Sequence, residues 1–154
     1  MTDERAYNRA LAMLAARGYA TEDLRRRLAR KGFAADDVAA VLTRLTAAGL
    51  LDDAAYARQL TRSKVLGAGA AARRVHRELA ARGVGIQVAT RAIAEVMDEE
   101  AVDETALAEQ LARRRIATLA RFDPATQRRR LYAYLARRGY GADDIRRAVT
   151  LVVR

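Results

Sequence analysis

LRRRLARKGFAADDVAAVLTRL, residues 24–45, decides the fold, because the chain writes nearly the same phrase again as LYAYLARRGYGADDIRRAVTLV at 131–152. Both carry Leu-Ala-Arg, a basic residue, Gly, an aromatic, then Ala-Asp-Asp and an aliphatic. Aligning Gly32 with Gly139 brings out a third copy around Gly83, VHRELAARGVGIQVATRAIAEV at 75–96, without a gap. Self-similarity of this kind marks a repeat architecture.

The spacing inside the phrase defines the unit. Leu24, Val75 and Leu131 stand eight residues before the glycine, and Leu28, Leu79 and Leu135 four before it. Residues four apart lie one above the other on a helix face. The glycine supplies the left-handed conformation that ends a helix, which a side chain resists. Phe33, Val84 and Tyr140 follow as a plug for the turn. A second stripe begins with Val38, Ala89 and Ile145 and continues through Leu42, Ile93 and Val149 to Leu45, Val96 and Val152. Its i, i+4, i+7 spacing is again helical.

Each helix pair has a helix before it. Residues 5–17 carry Tyr7, Leu11 and Leu14 and stop at Gly18; residues 53–66 carry Tyr56, Leu60 and Val65 and stop at Gly67; residues 103–121 carry Leu107, Leu111 and Leu119. Thr21, with Glu22 and Asp23, opens the second helix of the first copy, and Asp123 caps that of the third ahead of Pro124. The chain therefore reads as all-α, nine helices in three tandem three-helix repeats at 5–49, 50–97 and 98–154. Such short helices are marginal alone in water, so packing between neighbouring repeats must help hold them. A curved, elongated array is expected.

Composition agrees. Only 5% of the 154 residues are aromatic and none is Trp, so thin helical layers suit the chain better than one thick core. The single proline is Pro124, and Ala, Leu, Arg and Glu, which enter helices at little loss, dominate. The formal net charge of +10 favours an anionic partner such as nucleic acid or an acidic protein surface. No apolar run approaches the roughly 18 residues that span a bilayer, and MTDERAYNRA is not a secretory signal. No membrane partner and a cytoplasmic location are expected. The absence of cysteine excludes disulfides, thiolate zinc sites and Cys nucleophiles.

Catalytic constellations do not emerge. His76 is the only histidine, Ser63 the only serine, and GAGA at 67–70 lacks the Lys and Ser/Thr of a phosphate loop. The pairs Asp36–Asp37, Asp52–Asp53 and Asp143–Asp144 could hold a metal. Each falls where a helix begins, so capping explains them better. The cluster Asp98, Glu99, Glu100, Asp103, Glu104 reads as a solvated helix start. No cofactor or metal is expected, and no enzyme activity.

The positive charge is concentrated on the second helix of each repeat: Arg25, Arg26, Arg27, Arg30 and Lys31; Arg73, Arg74, Arg77 and Arg82; Arg128, Arg129, Arg130, Arg137 and Arg138. A cation just before the turn glycine suits a helix C-terminus, but the excess as a whole points to an anionic partner. A helix–Gly turn–helix with this charge also suits a helix-turn-helix DNA-binding module. Against that, the three copies expose different residues.

The turns LARKGF at 28–33, LAARGV at 79–84 and LARRGY at 135–140, with GLLDDAAYAR at 49–58 and the spacing through Arg62, Lys64 and Gly67, resemble the RecX family of bacterial regulators of the RecA recombinase. The likeness covers essentially the whole chain, although the middle copy has Gln87–Val88 where the outer ones have Asp–Asp. The resemblance implies three tandem three-helix repeats. It also implies a non-enzymatic modulator that lodges in the groove of the RecA filament on single-stranded DNA and inhibits ATP hydrolysis, strand exchange and filament growth. The partner would then be a RecA nucleoprotein filament and DNA phosphates, single-stranded first and double-stranded second, contacted by a monomer. Candidate contacts are Arg25, Arg26, Lys31, Arg62, Lys64, Arg73, Arg74, Arg77, Arg82, Arg128, Arg129, Arg137 and Arg138. Asp52, Asp53, Tyr56, Gly32, Gly83 and Gly139 are read as structural.

Overall fold

The computed structural model describes residues 4–154. Among them the chain forms nine α-helices and no strand: α1 (Glu4–Ala16), α2 (Thr21–Arg30), α3 (Ala35–Ala47), α4 (Asp53–Arg62), α5 (Ala72–Ala81), α6 (Ile86–Glu99), α7 (Glu104–Ile116), α8 (Pro124–Arg137) and α9 (Ala142–Val152). A π-helical turn, Ser63–Gly67, extends α4, and a 3-10 turn, Ala117–Leu119, extends α7. No helix among the described residues is long and apolar enough to cross a membrane. The chain divides into two compact units. One runs to Gln59 and adds Glu78–Ala92; the other comprises Leu60–Arg77 and Ile93–Arg154.

In the first unit Leu24 and Leu28 of α2 pack with Val38, Val41 and Leu45 of α3 and with Ala6 and Ala10 of α1. In the second, Leu131 and Leu135 of α8 pack with Ile145, Ala148 and Val149 of α9 and with Ala108 and Ala112 of α7. The stripes of the second and third helices follow the spacing, although Leu42 and Val152 are only partly buried, and there is one addition. The position nine after the glycine, filled by Val41, Ala92 and Ala148, is also buried, at 2% exposure or less.

The first helices differ more from expectation. Tyr7, Leu11 and Leu14 are only partly buried, and Ala6 and Ala10 lie at the centre. In α7, Ala108 and Ala112 are fully buried while Leu107 and Leu111 flank them. Two alanines one turn apart let a neighbouring helix approach closely, which leucine at those positions would prevent.

The acids require a correction. Asp36–Asp37 and Asp143–Asp144 are not N-caps: the capping positions are Ala34 and Gly141, and neither makes a side-chain cap bond. The acids lie within the first turn, where they oppose the helix dipole. Asp144 accepts a hydrogen bond from the Thr105 hydroxyl at 2.9 Å, and Asp143 pairs with Arg146. Asp52 does cap α4, accepting from Ala55 N–H at 3.0 Å.

Capping also runs between repeats. Thr21 begins α2, and its N–H and hydroxyl both donate to Asp53, at 2.8 and 3.0 Å. The N–H of Ala72, which begins α5, donates to Glu104 at 2.8 Å. In both cases the acid opening the next repeat satisfies an orphan donor at the start of the previous repeat's second helix. In the third repeat α8 is capped by its own Asp123, which accepts from Thr126 N–H at 3.0 Å. Asp53→Ala is expected to lower stability by about 0.5–2 kcal/mol in urea denaturation. Asp36→Ala, which removes no cap bond, should lose no more than about half a kcal/mol. Equal losses would show that the bond to Thr21 contributes nothing.

The turn glycines seat the repeats against one another. Gly83 and Gly139 have φ of +78° and +91°. A Cβ on Gly83 would lie 2.5 Å from Glu22 Cβ, and one on Gly139 would lie 2.8 Å from Arg74 Cβ and 2.9 Å from Arg74 N. Each turn therefore rests on the first turn of the preceding repeat's second helix. Gly32, at φ +93°, has no atom within 4 Å of such a Cβ.

Candidate binding surface

The second helices bury Leu24 and Leu28, Val75 and Leu79, and Leu131 and Leu135. A stripe that narrow leaves the rest of each helix facing outward, and arginine fills it. Most of these cations already have partners within the fold.

Arg26 donates to the carbonyl of Ala81 at 3.0 Å, and Arg74 to that of Arg137 at 2.9 Å. Both carbonyls stand two residues before a turn glycine, at a helix C-terminus where acceptors are otherwise unpaired. These two arginines bind one repeat to the next. Arg25 holds Glu22 through its Nε at 2.8 Å, and that hydrogen bond keeps the Glu22 carboxyl below its ordinary pKa. Arg82 reaches the Tyr56 hydroxyl at 2.6 Å and Glu78 at 3.1 Å. Arg62 pairs with Glu99 at 2.7 Å and Glu100 at 3.6 Å. Lys64 is half-buried in the π-helical turn. The guanidinium of Arg138 lies 3.8 Å from the Tyr134 ring centroid.

The remaining candidates, Lys31, Arg73, Arg77, Arg128, Arg129 and Arg137, are exposed. Their side chains form no hydrogen bond or ion pair among the described residues. All of them but Lys31 belong to the second unit. The Ala71 N–H donates to Arg138 O at 2.8 Å, and Tyr140 donates to Gly69 O at 2.8 Å. With the Arg74 bond, these fix the start of α5 against the end of α8. Arg73 and Arg77 lie one turn apart on α5, and Arg137 lies at the end of α8 that these bonds hold against the start of α5. Arg128 and Arg129 lie on the same helix as Arg137, about 12–14 Å back along its axis. Burial, first of all, raises the Tyr140 phenol above its ordinary pKa and keeps it a neutral donor at this joint.

Two clefts were not foreseen. In the first unit Arg9, Met13, Tyr19, Arg27, Arg30 and Lys31 line about 420 Å³. In the second, Val65, Leu66, Val102, Ala106 and Leu107, with Asp103 and Gln110, line about 520 Å³ of mainly apolar space. Helix packing brings the separated residues of each cleft together, and no local motif announces either. Among the described residues no group of three or more His, Cys, Asp or Glu could hold a metal ion.

Nine helices in three repeats, joined by capping acids, turn glycines and arginine bridges, define an all-helical tandem-repeat protein. The particular family follows from three matches: its first three-helix domain to residues 6–45, its second to 52–93 and its third to 103–149, and the chain belongs to the RecX family. Regulatory protein RecX of Mycobacterium avium is 41% identical over 140 residues, covering 90% of this chain and 79% of the relative. Its counterpart from Chromohalobacter salexigens is 37% identical over 140 residues, 91% of this chain and 88% of the relative. The crystal structure of RecX from Lactobacillus salivarius shares the fold, with a TM-score of 0.77 over 97% of this chain and 95% of that one, at 16% identity.

Proposed function

We propose that this chain binds the filament RecA forms on single-stranded DNA and inhibits its ATP hydrolysis, strand exchange and extension, without catalysis of its own. Membership of a family whose members are named regulatory proteins supports the regulatory half of this reading. The observation that carries the rest is Arg73, Arg77 and Arg137: exposed cations with no hydrogen-bond or ion-pair partner among the described residues, on elements joined by a backbone hydrogen bond. A basic surface on a rigid scaffold can make several weak contacts along a polyanionic filament, so that avidity replaces one deep pocket.

The DNA-dependent ATPase of RecA is expected to fall at amounts of this protein well below one per RecA subunit. An unaffected ATPase, together with tight binding to bare DNA, would instead make the chain a DNA-binding module that acts without RecA. A charge test follows from the site. R73E/R77E is expected to weaken filament binding and to flatten its salt dependence by at least about 1.4 in log–log slope, at about 0.7 for each single-strand phosphate no longer neutralised. Arg74 is left in place because it bridges to Arg137 O, and its removal would confuse folding with binding. An unchanged slope would remove α5 from the contact surface.

A further inference from the structure

We propose that the cleft of the first repeat, between α1 and α2, is a phosphate-binding site for single-stranded nucleic acid. It rests in part on the reading above, that the chain works on a nucleoprotein filament, but it concerns a site separate from Arg73, Arg77 and Arg137.

The lining contains four cations, Arg9, Arg27, Arg30 and Lys31, and no carboxylate. Elsewhere in the same unit arginines have acids within reach: Arg25 and Arg26 on Glu22, Arg44 on Glu4, Arg82 on Glu78. In the cleft only Arg27 has one, Asp23 at 3.0 Å. Arg9 and Lys31 make no hydrogen bond or ion pair among the described residues, and the Arg30 Nε makes only a long one, 3.4 Å to Arg26 O. Cations held together without counter-charge repel, and a concave surface of one sign focuses the field on whatever anion enters.

The geometry also orients donors. Tyr19 lines the cleft, with Arg17 at 4.1 Å and Arg27 at 5.4 Å from its ring centroid. These contacts hold Arg27 in place, and the Tyr19 hydroxyl, which has no hydrogen-bond partner among the described residues, is left to donate. Guanidinium forks with a phenol donor suit phosphate oxygens. The volume falls in the range of ligand clefts and exceeds what one phosphate group fills, so a stretch of backbone fits better than an isolated ion. An acidic peptide is the poorer match. Peptide recognition leans on apolar anchors, and beyond Met13 and Tyr19 every lining residue is a cation.

The test uses the full chain and a fluorescein-labelled oligo(dT), followed by anisotropy over a salt series without RecA. R9Q/R30Q/K31Q is expected to make the log–log salt slope shallower by about 2, at about 0.7 for each phosphate no longer neutralised. R113Q/R114Q/R147Q removes the same charge from exposed positions outside the cleft and should leave the slope unchanged. Lys31→Gln alone, expected to shift it by about 0.7, keeps the test decisive if the triple variant melts early. An unchanged slope in the cleft variants, or an equal change in the control, overturns the proposal. Should the cleft variant keep its oligonucleotide slope yet lose inhibition of RecA's ATPase, the cleft meets an acidic protein surface: this proposal falls while the filament reading stands. Thymidine monophosphate binding as tightly as the oligonucleotide, read from the Tyr19 ring resonances, would equally overturn a polymer site.

Discussion

Gly139→Ala is expected to lower stability by about 2–5 kcal/mol in urea denaturation, against about 1–2 kcal/mol for Gly32→Ala. The two glycines share the feature the sequence displays, a left-handed turn at φ of +91° and +93°, and any side chain there is strained by about 1–2 kcal/mol. Only Gly139 has a second reason to lack a side chain. Its Cβ would meet the backbone of α5, 2.9 Å from Arg74 N and 3.3 Å from Arg74 Cα. Backbone cannot swing aside as a side-chain tip can, and overpacking adds about 1–3 kcal/mol.

Relief would require α5 and the end of α8 to part. That breaks the Ala71 N–H bond to Arg138 O, the Arg74 bond to Arg137 O and the Tyr140 bond to Gly69 O, which measure 2.8, 2.9 and 2.8 Å. Gly139→Ala should therefore also weaken filament inhibition, since it shifts Arg73 and Arg77 relative to Arg137. Equal losses for Gly139→Ala and Gly32→Ala would mean that the turn does not rest on α5.

This contrast shows what the sequence could and could not say. The repeat, its stripes and its turns were legible, because local spacing alone dictates which residues share a helix face. The reason three identical-looking glycines differ was not, since it depends on which helix lies against each. The alanine pairs Ala6–Ala10 and Ala108–Ala112 were hidden for another reason. Alanine is so common here that its helical spacing merges into composition, although i, i+4 spacing was available as a signal. The capping partners Thr21 with Asp53 and Ala72 with Glu104 each stand 32 residues apart, and that recurring interval is itself a trace the sequence carried.

Charge was the least legible feature. Arg26, Arg73, Arg74 and Arg77 look alike as letters in a basic helix, yet two bridge repeats and two face solvent. The distinction follows from acceptors: Ala81 O and Arg137 O are helix-end carbonyls that need a donor. A repeat built on arginine bridges will always carry more positive charge than its partner reads, so net charge overstates the binding surface. The cleft errs the other way. Arg9 and Tyr19 belong to no second-helix cluster, and only the packing of α1 on α2 sets them beside Lys31.

The second large effect lies in the core. Leu135→Ala is expected to lower stability by about 2–5 kcal/mol, in the upper part of that range if the helices cannot close on the void. Leu135 is fully buried among Leu131, Ile145 and Val149. It also anchors the turn, its carbonyl accepting from Arg138 N–H at 3.1 Å and Tyr140 N–H at 3.3 Å. Alanine keeps those backbone bonds and deletes only the packing, so the loss measures the stripe itself. Leu135→Met, which nearly conserves volume, should stay below about 1.5 kcal/mol, and Leu151→Ala, at a side chain 48% exposed, within about 0.5 kcal/mol. Below its lowered midpoint the Leu135→Ala protein should still inhibit RecA's ATPase, because it leaves Arg73, Arg77 and Arg137 in place. R73E/R77E should do the reverse, keeping the midpoint and losing inhibition. Loss of inhibition by Leu135→Ala while it remains folded would tie binding to the packing of α8 and not to the charges it carries.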